Sequence, residues 1–221
     1  MNVLLIMKKD IRSVAGITAL LVLLMGSLAV LANFIPAVVV LACAVVLSGA
    51  YSIAALLMSE RREDRHNGYS FLLRMPVLPV ELAAGKLMLM YLLNAFACGL
   101  VLVLVKAYGA GARTIQVFQS ITFAAGCVWL ISLMAIYAGI CVLGFTKFLA
   151  AFRIATLVLL VAVQAAGVAA FRIGGDLPAL LEKAGDRIAA APWLPICIAV
   201  SAAYFACIAS SGTLVRFQEA R

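Results

Sequence analysis

The side chains able to do chemistry are most concentrated in one stretch, Glu60-Arg61-Arg62-Glu63-Asp64-Arg65-His66, and the pattern there is not a catalytic one. Over residues 60 to 86, five positive side chains (Arg61, Arg62, Arg65, Arg74, Lys86) face four negative ones (Glu60, Glu63, Asp64, Glu81). A net of +1 is not a polyanion-binding patch; alternation of sign suits a solvated helix end or a protein docking surface. His66 is the only histidine, so a Ser-His protease, a His-ligated haem protein or a zinc enzyme has little to build on. The six cysteines (Cys43, Cys98, Cys127, Cys141, Cys197, Cys207) lie in apolar runs with no C-x-x-C pair, which reads as small buried hydrophobes rather than disulfides or metal ligands. Gly85-Lys86 lacks the upstream glycine and the following hydroxyl of a phosphate-binding loop, so the chain is not expected to bind ATP that way. No metal and no cofactor are expected, and no enzymatic activity.

The elements that carry these residues are set by composition. With 67% hydrophobic and 12% charged residues in 221, the chain departs far from the balance of soluble domains. A hydrocarbon core takes about 20 apolar residues to cross as a helix. Runs of that kind fall at about 14–32, 36–58, 87–105, 117–143, 152–171 and 192–214. The expected fold is therefore all-α, a polytopic membrane protein of six transmembrane helices forming a single domain over 1–221. The first run is longer than an ordinary signal-peptide core, and a second follows almost at once, so Asn33 to Pro36 reads as the tight turn of a helical hairpin.

Basic residues near span ends set the orientation. With the N-terminus inside, Lys8, Lys9, Arg12, Arg61, Arg62, Arg65, Arg74, Lys86, Lys147, Arg153, Arg216 and Arg221 are cytoplasmic, leaving Lys106, Arg113, Arg172, Lys183 and Arg187 outside. That split of 12 against 5 accounts for all 17 and favours an N-in, C-in topology. The formal charge of +8 is thus a topology signal, and nucleic acid is not an expected partner.

Three segments outside the spans invite a function. Residues 1–13 are too short to span and too polar to bury, which suits either a short interfacial helix against anionic lipid or an ordinary basic flank. In the loop 59–86, Gly68 is followed by an apolar cluster, Tyr69, Phe71, Leu72 and Leu73, which must meet lipid, the bundle or a partner. Pro76 and Pro79 then stiffen the return path, and Glu81 to Lys86 begins the next helix. In 172–191, Leu177, Leu180, Leu181, Ala184 and Ile188 share a stripe, as in an external amphipathic helix. Within the spans, Asn94 and Gln164 are the most polar side chains at depth, suited to helix-helix hydrogen bonds or to a substrate path. Gly126, Ala135, Gly139 and Ala166 with Ala170 suit close helix approach.

In plan, the chain resembles the membrane subunits of ABC-2 type ATP-binding cassette exporters. The resemblance lies in Met7-Lys8-Lys9-Asp10-Ile11-Arg12 at the entry, Glu60-Arg61-Arg62, the cluster Tyr69 to Leu73, Arg74-Met75-Pro76-Val77-Leu78-Pro79-Val80-Glu81, and Gly85-Lys86 at the start of span three. It implies an ABC-2 (type V exporter-like) architecture in the plasma (inner) membrane of a bacterium. Glu60, Arg61, Arg62, Glu63, Asp64, Arg65, Tyr69, Phe71, Leu72 and Leu73 would then be the segment that docks on a separate ATPase subunit, where ATP is bound. A second permease copy or a sister permease would complete the path, surrounded by membrane lipid. The scarcity of polar groups within the spans favours an amphipathic or lipophilic substrate such as a peptide, a drug or a lipid-like molecule. A membrane scaffold or assembly factor, and a small secondary carrier or channel, are the other readings; the lack of carboxylates within the spans speaks against the carrier.

Overall fold

In the computed structural model, which describes residues 2–65, 78–108, 112–173, 186–187, 190–191 and 193–219, the described chain is helical throughout, with no strand. Six long helices follow one another: α1 (Asn2–Leu31), α2 (Ala37–Arg65), α3 (Pro79–Ala107), α4 (Ala112–Leu143), α5 (Phe145–Ile173) and α6 (Trp193–Glu219). Among the described residues, five of them (α1, α2, α3, α4 and α6) are long and apolar enough to cross a membrane. The chain is an all-α, multi-pass membrane protein. The fifth expected span lies on α5; the side chains at 160 and 163–173, Gln164 with them, lie outside the described residues.

Local chemistry explains where the helices start and stop. After Leu31, the Ala32 to Ile35 turn returns its amides to the last carbonyls of α1, and the Asn33 side chain donates to the Val30 carbonyl. Pro36 follows, and its carbonyl accepts from Val39 and Val40 to open α2. At α3, Pro79 takes the first helical position, where its missing N–H costs nothing. The Glu81 carboxylate accepts from the Leu78 amide at 3.1 Å and sits at the positive end of the helix dipole. Gly144, at φ +77°, is the entire break between α4 and α5: its amide bonds the Ile140 carbonyl while its carbonyl accepts from Phe148. Only glycine adopts that left-handed conformation without strain.

Packing makes α3 the axis of the bundle, in contact with α1, α2, α4 and α6. Its buried side chains, from Leu82 and Leu87 through Ala97 to Leu104 and Val105, form one broad face, while Met88, Leu92 and Phe96 are exposed on the other. One core joins α1, α2 and α3 around Val14, Leu21, Tyr51 and Val101. The other joins α2, α3, α4 and α6 around Leu56, Met90, Leu133, Tyr137 and Ala206. Outward faces remain apolar, as on α1 (Leu20, Leu23, Val30), α5 (Ile154, Leu157, Val158) and α6 (Tyr204, Phe205, Ile208). Lipid is the solvent such faces require. Gly126 and Gly139 do mark close approaches, since an added Cβ would lie 2.8 Å from Cys98 Sγ and 2.9 Å from the Phe148 ring, respectively. Ala135 instead faces outward, and the Ala166 and Ala170 side chains lie outside the described residues.

Two expected boundaries change. Residues 1–13 are not a separate interfacial helix, because α1 runs unbroken from Asn2 through the first span. The loop 59–86 is largely helical in its described parts: α2 continues seven residues past Met58, and α3 is already formed at Pro79. The reason is what the polar residues at these ends do.

Candidate functional site: a buried charge cluster joining three helix ends

Lys86 lies two turns into α3 on the face that meets α1 and α2, and only 1% of it is exposed. Its Nζ lies 3.0 Å from Asp10 Oδ2 on α1, 3.0 Å from Glu60 Oε1 and 3.7 Å from Glu63 Oε1 on α2, and it donates to Ser59 Oγ at 3.0 Å. Glu60 and Glu63 are three residues apart, so they share one face of α2. Lys9, half exposed, pairs with Glu63 from the outer side and lies 3.8 Å from Asp10. Three of the chain's nine acidic residues thus converge on one buried ammonium. Each of these helices can extend past its apolar run because its charges find partners on the neighbouring helices.

Arg61, Arg62 and Arg65 are exposed on the opposite side of α2. Its end therefore has an acidic face locked inward and a basic face turned out. Arg62 and Arg65 also fall in its last turn, where positive charge complements the helix dipole. Of the other expected docking residues, Tyr69, Phe71, Leu72 and Leu73 lie outside the described residues, as do the Asp64 side chain and Pro76. Segment 172–191 likewise lies mostly outside them. Pro79 is buried at the start of α3. Glu60 and Glu63, grouped in sequence with their arginine neighbours as one alternating surface, belong to the interior. Asp10 and Lys86 escape sequence reasoning as site residues. The one signal is that each is a charge beside helix positions that are otherwise apolar and close to a span.

Asn94 is placed as expected for a helix-helix tie. It donates from Nδ2 to the Gly126 carbonyl of α4 at 2.8 Å and accepts from Ser52 Oγ of α2 at 3.4 Å. With Thr18 and Tyr51, hydroxyl to hydroxyl at 2.9 Å between α1 and α2, such bonds fix helix register within the apolar interior. Asn94→Leu is expected to cost about 0.6–2 kcal/mol, read as a lowered unfolding temperature in detergent.

All six cysteines are free thiols; Cys141 is buried as expected, whereas Cys43 and Cys197 are exposed on apolar helix surfaces. Among the described residues, no group of three His, Cys, Asp or Glu side chains is set to hold a metal ion. In the charge cluster, an ammonium stands where a cation would otherwise be drawn. The cluster brings no nucleophile or proton acceptor to an open surface; what it can do is bind helix ends into one body. Comparison with known proteins finds no matching family model, no matching curated protein and no matching solved structure.

Proposed function

We propose that this chain is the membrane-spanning permease subunit of an ABC-2 type exporter, moved by an ATPase on a separate polypeptide and carrying an amphipathic or lipophilic substrate. In this reading the chain crosses a bacterial inner membrane six times, both ends are cytoplasmic, and a second permease copy or a sister subunit completes the path. The observation that carries it is the two-faced end of α2. Arg61, Arg62 and Arg65 are turned outward for a partner, while Glu60 and Glu63, one face over, are bound to Lys86 of α3 and, through it, to Asp10 of α1. A push on the exposed face of α2 is then delivered to three membrane helices at once. Mechanical coupling of rigid bodies requires such a connection, and a chain without nucleotide-binding residues needs an external source of force.

Reversing the outer charges tests this. Arg61→Glu with Arg62→Glu is expected to reduce ATP-dependent transport by the reconstituted complex by about tenfold or more, through like-charge contacts with the partner. Because both side chains are exposed, the variant's own stability should change by no more than about 0.5 kcal/mol. Unchanged transport-linked ATP hydrolysis in a correctly folded variant would contradict the assignment, as a scaffold without transport would.

A further inference from the structure

Well-packed interiors leave few spaces larger than a water molecule. Yet between α3, α4 and α6 lies a cleft of about 290 Å³, at the lower edge of the roughly 300–1,000 Å³ typical of small-molecule sites. Its floor includes the buried Asn94, Thr122 and Leu130, and its mouth the exposed Tyr91, Phe123 and Ile196. Among the described residues that line it, none is charged. Asn94 is eight residues beyond Lys86 on α3, about 12 Å along the axis at 1.5 Å per residue, so the cleft is distinct from the charge cluster and lies within the apolar span.

Thr122 gives the cleft its polarity. Three other helical threonines return their hydroxyls to the carbonyl one turn back: Thr18 to Val14, Thr156 to Phe152 and Thr213 to Ala209. The Thr122 hydroxyl has no such bond: it is buried and without a hydrogen-bond partner among the described residues. A buried hydroxyl left unpaired is costly, and a ligand that supplies an acceptor removes that cost. Charged or zwitterionic groups are excluded by the apolar walls. A bilayer phospholipid is the competing occupant: its tail can fill the cleft while its charged headgroup stays outside, and the two labels below tell it from a single-headed amphiphile.

We propose that this cleft binds an uncharged, single-headed amphiphile, a long-chain alcohol, ester or amide, which enters sideways from the membrane past Tyr91 and Phe123 and accepts a hydrogen bond from Thr122. The proposal does not rest on pairing with an ATPase. The test uses the full chain in phosphatidylcholine nanodiscs with a long-chain alcohol bearing a photoreactive diazirine. In parallel, a phosphatidylcholine carries the diazirine on its tail. The alcohol should label segments 91–102 and 122–130 saturably, and unlabelled alcohol should compete it away. Ala95→Trp, which fills the mouth from an exposed position, should reduce that labelling at least tenfold. Thr122→Val, which keeps the shape but removes the hydroxyl, should raise the half-saturating concentration about three- to tenfold. Labelling that does not saturate, or that the phospholipid matches, would mean the cleft is filled by lipid tails and would overturn the proposal. So would a Thr122→Val protein that folds normally and binds the alcohol unchanged.

Discussion

Lys86→Met is expected to destabilise the protein by about 3–5 kcal/mol, because it leaves Asp10, Glu60 and Glu63 buried around a site that has lost its central cation. In a chain of this length that corresponds to a fall of about 10 °C in the unfolding temperature, measurable in detergent by the loss of the monodisperse species on heating. The loss comes from stranded carboxylates rather than from a missing contact, so it should be reversible from the other side. Adding Glu60→Gln and Asp10→Asn to Lys86→Met removes two of the three stranded carboxylates and leaves Glu63 its partner Lys9, so much of the stability should return, since neutralising the partners of a lost buried charge removes most of the penalty. A single variant as stable as the parent would mean that the ammonium is solvated and the three helix ends are held by something else.

The second large effect is expected where α2 and α4 cross. A Cβ added at Gly49 would lie 2.4 Å from Trp129 Cε2 and 2.6 Å from Trp129 Nε1. The indole lies against the bare backbone of α2, and no side chain fits without moving the ring or the helix. Gly49→Val should cost about 1–3 kcal/mol from overpacking, even though valine is a better helix former than glycine. Trp129→Leu should relieve the clash, so the double variant should be more stable than the sum of the single changes predicts. The coupling, measured as a double-mutant cycle of unfolding temperatures, should exceed about 0.5 kcal/mol. Strict additivity would mean that the two residues do not meet.

Much of the fold was legible because hydropathy reports where lipid is. The runs at 14–32, 36–58, 87–105, 117–143 and 192–214 are each carried by one helix, to within a residue at the ends, and the turn after Leu31 sits where Asn33 and Pro36 place it. Helix ends were less legible. Hydropathy falls at Met58, but backbone hydrogen bonding continues to Arg65 because Glu60 and Glu63 have partners in the interior. The same holds for the first residues of α1, where Asp10 belongs to the cluster. The cluster itself is hidden from any local pattern: Asp10 lies 76 residues from Lys86 in the chain, and each taken alone resembles an ordinary charge flanking a span. The Gly49–Trp129 contact is hidden for the same reason, since nothing in a single helix says which glycine faces an indole. Asn94 was readable because a lone amide in an apolar run has few partners other than another helix.

The claim that these helices are the passive half of an ATP-driven machine is tested most directly by purifying the intact chain from its own membrane and assaying the product for ATP hydrolysis. The proposed coupling predicts that an ATPase bearing a phosphate-binding loop co-elutes in fixed ratio with the chain, and that Arg61→Glu with Arg62→Glu removes it while the permease remains folded. A folded chain that elutes without ATPase activity, or an ATPase that stays bound to the charge-reversed variant with its activity unchanged, would contradict it.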